Sequence, residues 1–546
     1  MKKILPLIFG LLLLSAVGGR ADSSNDTDNE PIVIEGESLK GVAHPGNEFA
    51  HMPYPKSTQQ EAPGVFSGNS ELFWGTDHGP DSREQMEVNV PVKKDGRYKL
   101  LVRLAKGPTC GILKITFEDN DHAPIDCYAP RPGAMDPIEL GTYDVLAGDH
   151  PLDFMIAGVN HAEPQKWLVY GLDYVKLIPV PPIGHVQATG ADDSSIHSIT
   201  VGQDYPVPHN SGDTWDLAWT RQDVLYSLSN DTTGFFIGGN RNLDFNKIIG
   251  DDPTKLDGVT VNTMGEYGNT GQTMGGDGCS WKSSGCIELD GVLYWLVARH
   301  KYGEESGDYD KRQPARNSSF IKSIDGGKTW TRSAQENYDH PMFPGSRFAA
   351  PYFVQYGRDG SETIADGSDK YVYALSNKGF WDNGDYVVLG RVLRTRMHDL
   401  NAADWQFYTE GDGAADSSWT SNIREAKAVL AHPDRLGMTR AVYLPKQQCY
   451  LMIGWYYPAG GGKLQDSDTH NGPAHVTTNW DFYVASHPWG PWRIVGSHTW
   501  NPQGYYCPGV CSKFTSADGS TVYAFTAGDW MNGTVYKLNA VELSIK

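Results

Sequence analysis

Apolar positions in this chain come in short runs broken by polar, Gly and Pro residues, which is a strand pattern rather than a helical one. Glu87-Val88-Asn89-Val90, Tyr98-Lys99-Leu100-Leu101-Val102-Arg103, Leu113-Lys114-Ile115-Thr116-Phe117 and Trp167-Leu168-Val169-Tyr170 are such runs, with Lys94-Asp95-Gly96 as the turn between the first two. They predict a β-sandwich over residues 31–180, and the prolines and glycine of Pro179-Val180-Pro181-Pro182-Ile183-Gly184 suit an interdomain linker after it. A polar Ser/Asn/Asp stretch, 22–30, precedes it.

From residue 185 one unit recurs: a polar turn, then an apolar strand with a central tyrosine. Gln222 to Leu228, Asp290 to Leu296, Asp369 to Leu375, Gln447 to Met452 and Gly519 to Phe525 share the pattern, centred on Tyr226, Tyr294, Tyr373, Tyr450 and Tyr523. The spacing, roughly 70 to 80 residues, exceeds the roughly 40 to 50 of compact blade repeats, so each unit carries long loops. Units that bury their faces only against neighbours predict a five-bladed β-propeller over 185–546. Ser323-Ile324-Asp325-Gly326-Gly327-Lys328-Thr329-Trp330 matches S-x-D-x-G-x-T-W and resembles the Asp box of sialidase-like propellers, where Asp and Gly shape a hairpin turn and Trp packs between strands. The fold class is therefore all-β, a jelly-roll sandwich followed by a propeller.

Charge narrows the partners. With 46 Lys+Arg against 66 Asp+Glu the net charge is −20, which repels phosphate backbones, and no basic run offsets it. No nucleic-acid partner is expected. Met1-Lys2-Lys3, the apolar run Ile4 to Val17 and small residues before Asp22 have the layout of a secretory signal peptide, 1–21. The run is shorter than the roughly 20 residues that span a bilayer, and no Cys follows it as a lipid-attachment site. A secreted or periplasmic protein without membrane insertion is expected. An oxidising compartment permits disulfides, and Cys279 with Cys286 and Cys507 with Cys511 are near enough in sequence to close small loops.

In an antiparallel blade the start of the innermost strand and the end of the second share one rim, so these points from successive blades converge on the central channel. Asp213 and Asp231 occupy them in the first blade. Two carboxylates across a sugar are what glycosidic cleavage requires, one to protonate the leaving oxygen and one to attack or activate water; the competing reading is a turn cap and a solvated loop acid. Lys282, Arg299 and Arg440 are candidate cations to hold a carboxylate ionised or grip hydroxyls, against a role as salt-bridge partners. Trp455, Tyr506 and Trp530 offer flat faces for sugar rings, against interblade packing. Glu266, Glu425 and Asp481 are reserve acids. No cofactor is expected for catalysis.

Two resemblances extend this. Ile34-Glu35-Gly36-Glu37, Asp95-Gly96-Arg97-Tyr98, Ala147-Gly148-Asp149-His150 and Leu172-Asp173-Tyr174-Val175 resemble the jelly-roll carbohydrate-binding modules, and the resemblance implies a structural calcium held by Glu35, Glu37 and Asp173; the alternative is solvated strand-end carboxylates. Trp74, Phe73 and Tyr54 are candidate sugar-stacking rings there, or core aromatics. In the propeller, Gly212-Asp213-Thr214-Trp215, Lys282-Ser283-Ser284-Gly285, Phe348-Ala349-Ala350-Pro351-Tyr352-Phe353 and Pro488-Trp489-Gly490-Pro491-Trp492, in that order, resemble a family long catalogued as a domain of unknown function that includes bacterial endo-D-arabinanases. That resemblance implies a five-bladed propeller hydrolysing polysaccharide through acids in its central pocket; the family's Gly-Asp-Gly after the second strand here reads Asn230-Asp231-Thr232. The leading expectation is a glycoside hydrolase acting on a polysaccharide or oligosaccharide. The alternatives are a polysaccharide lyase using Tyr506, His300, Arg299 and Arg440 on a uronate, and a non-catalytic lectin.

Overall fold

The computed structural model describes residues 30–39, 41–43, 56–57, 65–76, 85–94, 96–117, 120–145, 148–159, 168–180, 195–235, 238–301, 313–332, 338, 340–364, 367–377, 379–411, 413–458, 477–530 and 532–546. The signal-peptide segment and Tyr54 lie outside them. The chain divides into two compact units, residues 1–115 with 123–182, and 183–546 with 116–122.

The first unit is a sandwich of a seven-stranded and a six-stranded sheet. Strict alternation builds it. Along Gly96–Lys106 the side chains of Tyr98, Leu100, Val102 and Leu104 are buried while their neighbours are not, so one face of the strand supplies core. Val88 and Val90 from Gln85–Val92, and Leu152 and Phe154 from Gly148–Gly158, are likewise fully buried in the second sheet. Trp74 joins this core, stacked on Tyr170 and tilted against Phe154 at 5.5 Å each. It is therefore not the sugar platform considered from the sequence; Phe73, its neighbour on the opposite face of the strand, is half-buried.

The second unit is a ring of five blades. Blade I is Ser211–Trp219, Leu225–Gly234, Arg241–Ile249 and Asp257–Asn262; blade II is Ser280–Leu289, Val292–His300 and Ala315–Ser323. Blade III is built on Tyr352–Gln355, Tyr371–Asn377, Tyr386–Leu393 and Gln406–Tyr408, and blade IV on Arg440–Leu444, Cys449–Tyr456, Thr478–Ala485 and Arg493–Trp500. Blade V combines Tyr506–Val510, Thr521–Ala527 and Asn539–Ile545 with the unit's first strand, Ile199–Pro206, whose pairing to Asn539–Ile545 closes the ring. Innermost strands pack on one another in order, and the fifth returns to the first. The recurrent tyrosines all fall on second strands. One feature is absent from the repeat pattern: the inner strands of blades III and IV form a short parallel pair, Val354 opposite Ala441 and Gln355 opposite Val442, which fuses the two blades into one ten-stranded sheet.

Aromatic contacts bind the blades together. Phe245 of blade I lies 5.5 Å from Trp295 and 4.9 Å from Trp330 of blade II, with contacts of this kind contributing about 0.5 to 1.5 kcal/mol each beyond area burial. Trp330 is placed by the Ser323–Trp330 turn. Asp325 accepts from the Ser323 hydroxyl at 2.8 Å and from the Thr329 hydroxyl at 2.6 Å, and the Trp330 indole donates to Gly327 O at 3.0 Å.

All seven cysteines are buried, and none is in a disulfide. The disulfides considered from the sequence do not form, for a geometric reason: Cys286 lies within the extended strand Ser280–Leu289 with Cys279 just before it, and Cys507 and Cys511 are separated along Tyr506–Val510. At about 3.3 Å per residue, each pair is held far beyond the roughly 7 Å that a disulfide spans.

Candidate active site

The site begins with a local irregularity in blade I. The pairing between its first two strands runs Ser211 to Gly234, then Asp213 to Asn230, then Asp216 to Leu228, so residues 231–233 of the second strand and 214–215 of the first bulge out of the ladder. Gly212 is required: a Cβ there would meet the Thr232 side chain at 2.5 Å, and its φ of 132° lies outside the range of L side chains. Thr214 and Asp231 both adopt left-handed backbone, φ 51° and 42°. The bulge and the Asp231 kink turn two carboxylates, 213 and 231, to one cavity of about 350 Å³.

Their partners differ. Asp231 is ion-paired with Lys282 of blade II, a lysine whose side chain is 3% exposed. Asn230, just before it, fixes this pairing by accepting from Ser283 N at 2.9 Å and Ser283 Oγ at 2.8 Å and donating to Ser283 O at 2.8 Å, immediately after Lys282. Among the described residues Asp213 forms no ion pair, and Lys282 acts on it only at longer range. It accepts from Tyr506 Oη at 2.8 Å and from Tyr536 Oη at 3.4 Å; Tyr536 also reaches Asp231 O at 3.0 Å. Burial first, and then the charge of Asp231, push the Asp213 carboxyl up to about 7, against the opposing effect of Lys282 and the two phenols. Burial keeps Tyr506 well above the usual phenol range, so it stays a donor.

Aromatic rings form the wall. Trp455 packs against Tyr506 at 5.5 Å and Tyr457 at 5.4 Å, and Tyr457 meets Trp530 edge-on at 6.3 Å. Elsewhere along the cavity, His300 sits edge-on to Trp381 at 4.9 Å and contacts Gln313 Oε1 through Nε2 at 3.1 Å, while Gln313 N donates to Asp382 at 2.9 Å. His300, Trp381, Gln313 and Asp382 all line the cavity.

Asp213, Asp231, Lys282, Trp455, Tyr506 and Trp530 thus come together. Two expected residues do not. Arg299 is fully buried beneath the rim, paired with Asp277 at 2.8 Å and stacked 4.2 Å over Trp281. Arg440 is buried in the ring interior against Asp216 and Tyr352. Of the reserve acids, Glu266 and Glu425 are exposed, and Asp481 is buried on the third strand of blade IV with Ser497; none of the three lines the cavity. Asp382, Trp381, Gln313, Tyr457 and Tyr536 were not foreseen. Trp381-Asp382-Asn383-Gly384 lies just past the second strand of blade III, so a wider rim window would have included it; Tyr536 sits on a loop that no repeat marks.

In the sandwich, the calcium ligands implied by resemblance separate. Glu35 Oε2 and Glu37 Oε2 are shielded oxygens without hydrogen-bond partners among the described residues, the two carboxylates both lie near Gly68, and they fit a hard cation. Asp173 does not fit: one oxygen accepts from Ser67 N at 2.7 Å and the other from Arg103 at 2.7 Å. Among the described residues no cluster of three His, Cys, Asp or Glu side chains is assembled for a metal.

No protein-family model matches the sequence, and no curated protein does. Solved structures do match. A provisionally designated hydrolase of Bacteroides ovatus ATCC 8483 is 12% identical, with 62% of this chain covering 87% of that one at a TM-score of 0.37. The GH43 protein BlXynB of Bacillus licheniformis is 11% identical, with 63% of this chain covering 56% of that one at 0.33. A family 35 carbohydrate-binding module of Clostridium thermocellum is 17% identical, with 28% of this chain covering 99% of that one at 0.18. The chain spans about half the length of BlXynB. At such identities and scores, what this chain does has to be argued from its own site.

Proposed function

We propose that the protein is a glycoside hydrolase whose two reacting carboxyls are Asp213 and Asp231. The observation that carries this is their inequality within one aromatic-walled cavity: Asp213 is held toward its protonated form, and Asp231 faces Lys282. Pairs of acids with unlike environments divide the roles of acid and base. Asp213 is the general acid, protonating the departing glycosidic oxygen with Tyr506 holding its other states in line. Asp231 is the base or nucleophile, oriented by Lys282, and the rings of Trp455 and Trp530 stack the sugar.

The lining favours a neutral glycan over a uronate. A lyase needs a cation for the substrate carboxylate, yet Arg299 and Arg440 are both off the cavity and Lys282 is already engaged by Asp231. The resemblance to the endo-D-arabinanase family and the leader-like layout of residues 1–21 favour an extracellular polysaccharide as the target. Of the calcium ligands that the sandwich resemblance implies, Glu35 and Glu37 would hold the ion, while Asp173 is engaged by Ser67 and Arg103. No helix among the described residues is long and apolar enough to cross a membrane. Incubating the full chain with a panel of neutral and uronate glycans tests the reading: new reducing ends without ultraviolet-absorbing unsaturated products are expected. An unsaturated product would establish the lyase, and binding without cleavage the lectin. Proton NMR of the first-formed anomer then separates retention from inversion.

A further inference from the structure

Arg440 stands at the start of the innermost strand of blade IV, yet its guanidinium ends in blade I. Its side chain is 4% exposed. Nη1 donates to Trp215 O, and Nη2 donates to Thr214 O at 3.1 Å and to Tyr352 Oη at 3.3 Å. The fork lies 4.5 Å over the Tyr352 ring and 3.7 Å from Asp216 Oδ1. Thr214 and Trp215 are the two residues directly after Asp213, in the stretch where the ladder of blade I skips from Asp213 to Asp216. The register shift takes these two residues out of the regular ladder, and the guanidinium donates to both of their carbonyls. A β-branched residue at φ 51° is costly, and such a conformation persists only where the surroundings over-determine it.

We propose that Arg440 is a positioning residue for Asp213: it reaches through the ring interior and fixes the left-handed turn at Thr214 that presents the Asp213 carboxyl to the cavity. The inference rests on Asp213 being a reacting carboxyl. A planar fork suits the task because it serves two adjacent carbonyls and a phenol at once, which a lysine ammonium on a flexible stem does not reproduce. The neighbouring strand makes room for it. At Gly509 of blade V a Cβ would lie 2.5 Å from Arg440 Cδ, so the clamped stem requires glycine there. Burial, Asp231, Lys282, Tyr506 and Tyr536 set the electrostatics of Asp213, whereas Arg440 touches the backbone that follows it.

The test uses the full chain and protons alone as the probe. Carbon-13 NMR follows the Asp213 carboxyl, its signal identified by loss in Asp213→Asn. In Arg440→Lys the carboxyl is expected to escape toward solvent, so its midpoint falls toward the ordinary carboxylate range, and turnover of a glycan found by the panel drops about 10- to 100-fold in kcat with little change in KM. A wild-type midpoint with wild-type kcat overturns the proposal, as does a lowered melting temperature with an unmoved midpoint, since that is a purely structural role. Should Arg440→Lys not fold, Gly509→Ala, which presses on the stem and keeps the charge, carries the test with the same two outcomes. Activity of Asp213→Asn on the same glycan is judged separately: a fully active variant sinks the reading of the site, whereas an inactive one beside a normal Arg440→Lys sinks only the clamp.

Discussion

The sandwich and the propeller both bury carboxylates near cations, and they use them in opposite ways. In the sandwich each oxygen of Asp173 is capped, one by a backbone N–H and one by Arg103, and nothing is left to offer a substrate. In the propeller the cation goes to Asp231, while Asp213 is left with two phenols in a buried setting and an open cavity in front of it. A fully satisfied carboxylate stabilises its fold. One whose protonated form is favoured while it lines a cavity is what the proposed proton transfer requires.

The comparison breaks most clearly at the acid pair. Asp213→Asn and Asp231→Asn are each expected to lower kcat by about 10³-fold or more. The melting temperature holds in Asp213→Asn, which replaces a carboxyl already pushed toward its neutral form, and falls in Asp231→Asn, which leaves the buried Lys282 ammonium without its anion. Near-normal turnover in both would make the propeller acids as structural as Asp173. The reverse holds for Arg103→Met, which leaves the Asp173 carboxylate, 0% exposed, without its cation; denaturant titration is expected to show a loss of about 2 to 3 kcal/mol with kcat intact. A change in turnover with no change in stability would contradict the division drawn above.

Proton linkage gives a third measure. Asp244 of blade I is fully buried, neither of its oxygens has a hydrogen-bond partner, and Arg241 lies 3.9 Å away; burial pushes it up to about 7, as it does Asp213. Raised carboxyls bind protons in the folded state that the unfolded chain has released. Their stabilisation is whole below about pH 4 and is lost as pH rises through about 7, at up to about 1.4 kcal/mol per pH unit for each group. Urea midpoints at pH 5 and pH 8 are expected to differ in that direction, and Asp244→Asn to reduce the difference; an unchanged difference would mean that Asp244 is not such a group.

Smaller effects sharpen the same contrast. Tyr506→Phe removes a donor that favours the ionised form of Asp213, so the carboxyl rises further, the alkaline limb of the kcat–pH profile moves to higher pH, and kcat falls about 10-fold. A limb moving downward would reverse the assigned role. Chelation is expected to lower the melting temperature of the full chain by a few degrees through Glu35 and Glu37; an unchanged curve would show that they hold no cation.

Much of this architecture is written in short-range pattern. Alternation in Tyr98 to Leu104 and the recurring tyrosines declare strands and their repetition, because a strand's faces alternate and a blade can bury itself only on another like it. The rim segments were legible for the same reason. The two arginines show where that legibility stops. Ala298-Arg299-His300 is the right segment, but successive side chains point to opposite faces, so His300 enters the cavity while Arg299 turns beneath it toward Asp277. At 440 the guanidinium is turned inward to donate to two carbonyls at a bulge in another blade.

The chain by itself determined two β units, a ring of five blades and the acid pair in the first of them, since each follows from neighbours in sequence and a repeat. Which face of each rim strand meets the cavity, which loops bring Asp382 and Tyr536 to it, and how far burial raises Asp213 were decided by the closed ring. Those outcomes depend on burial and on charges from blades far apart along the chain, and such distances exist only once the blades have packed.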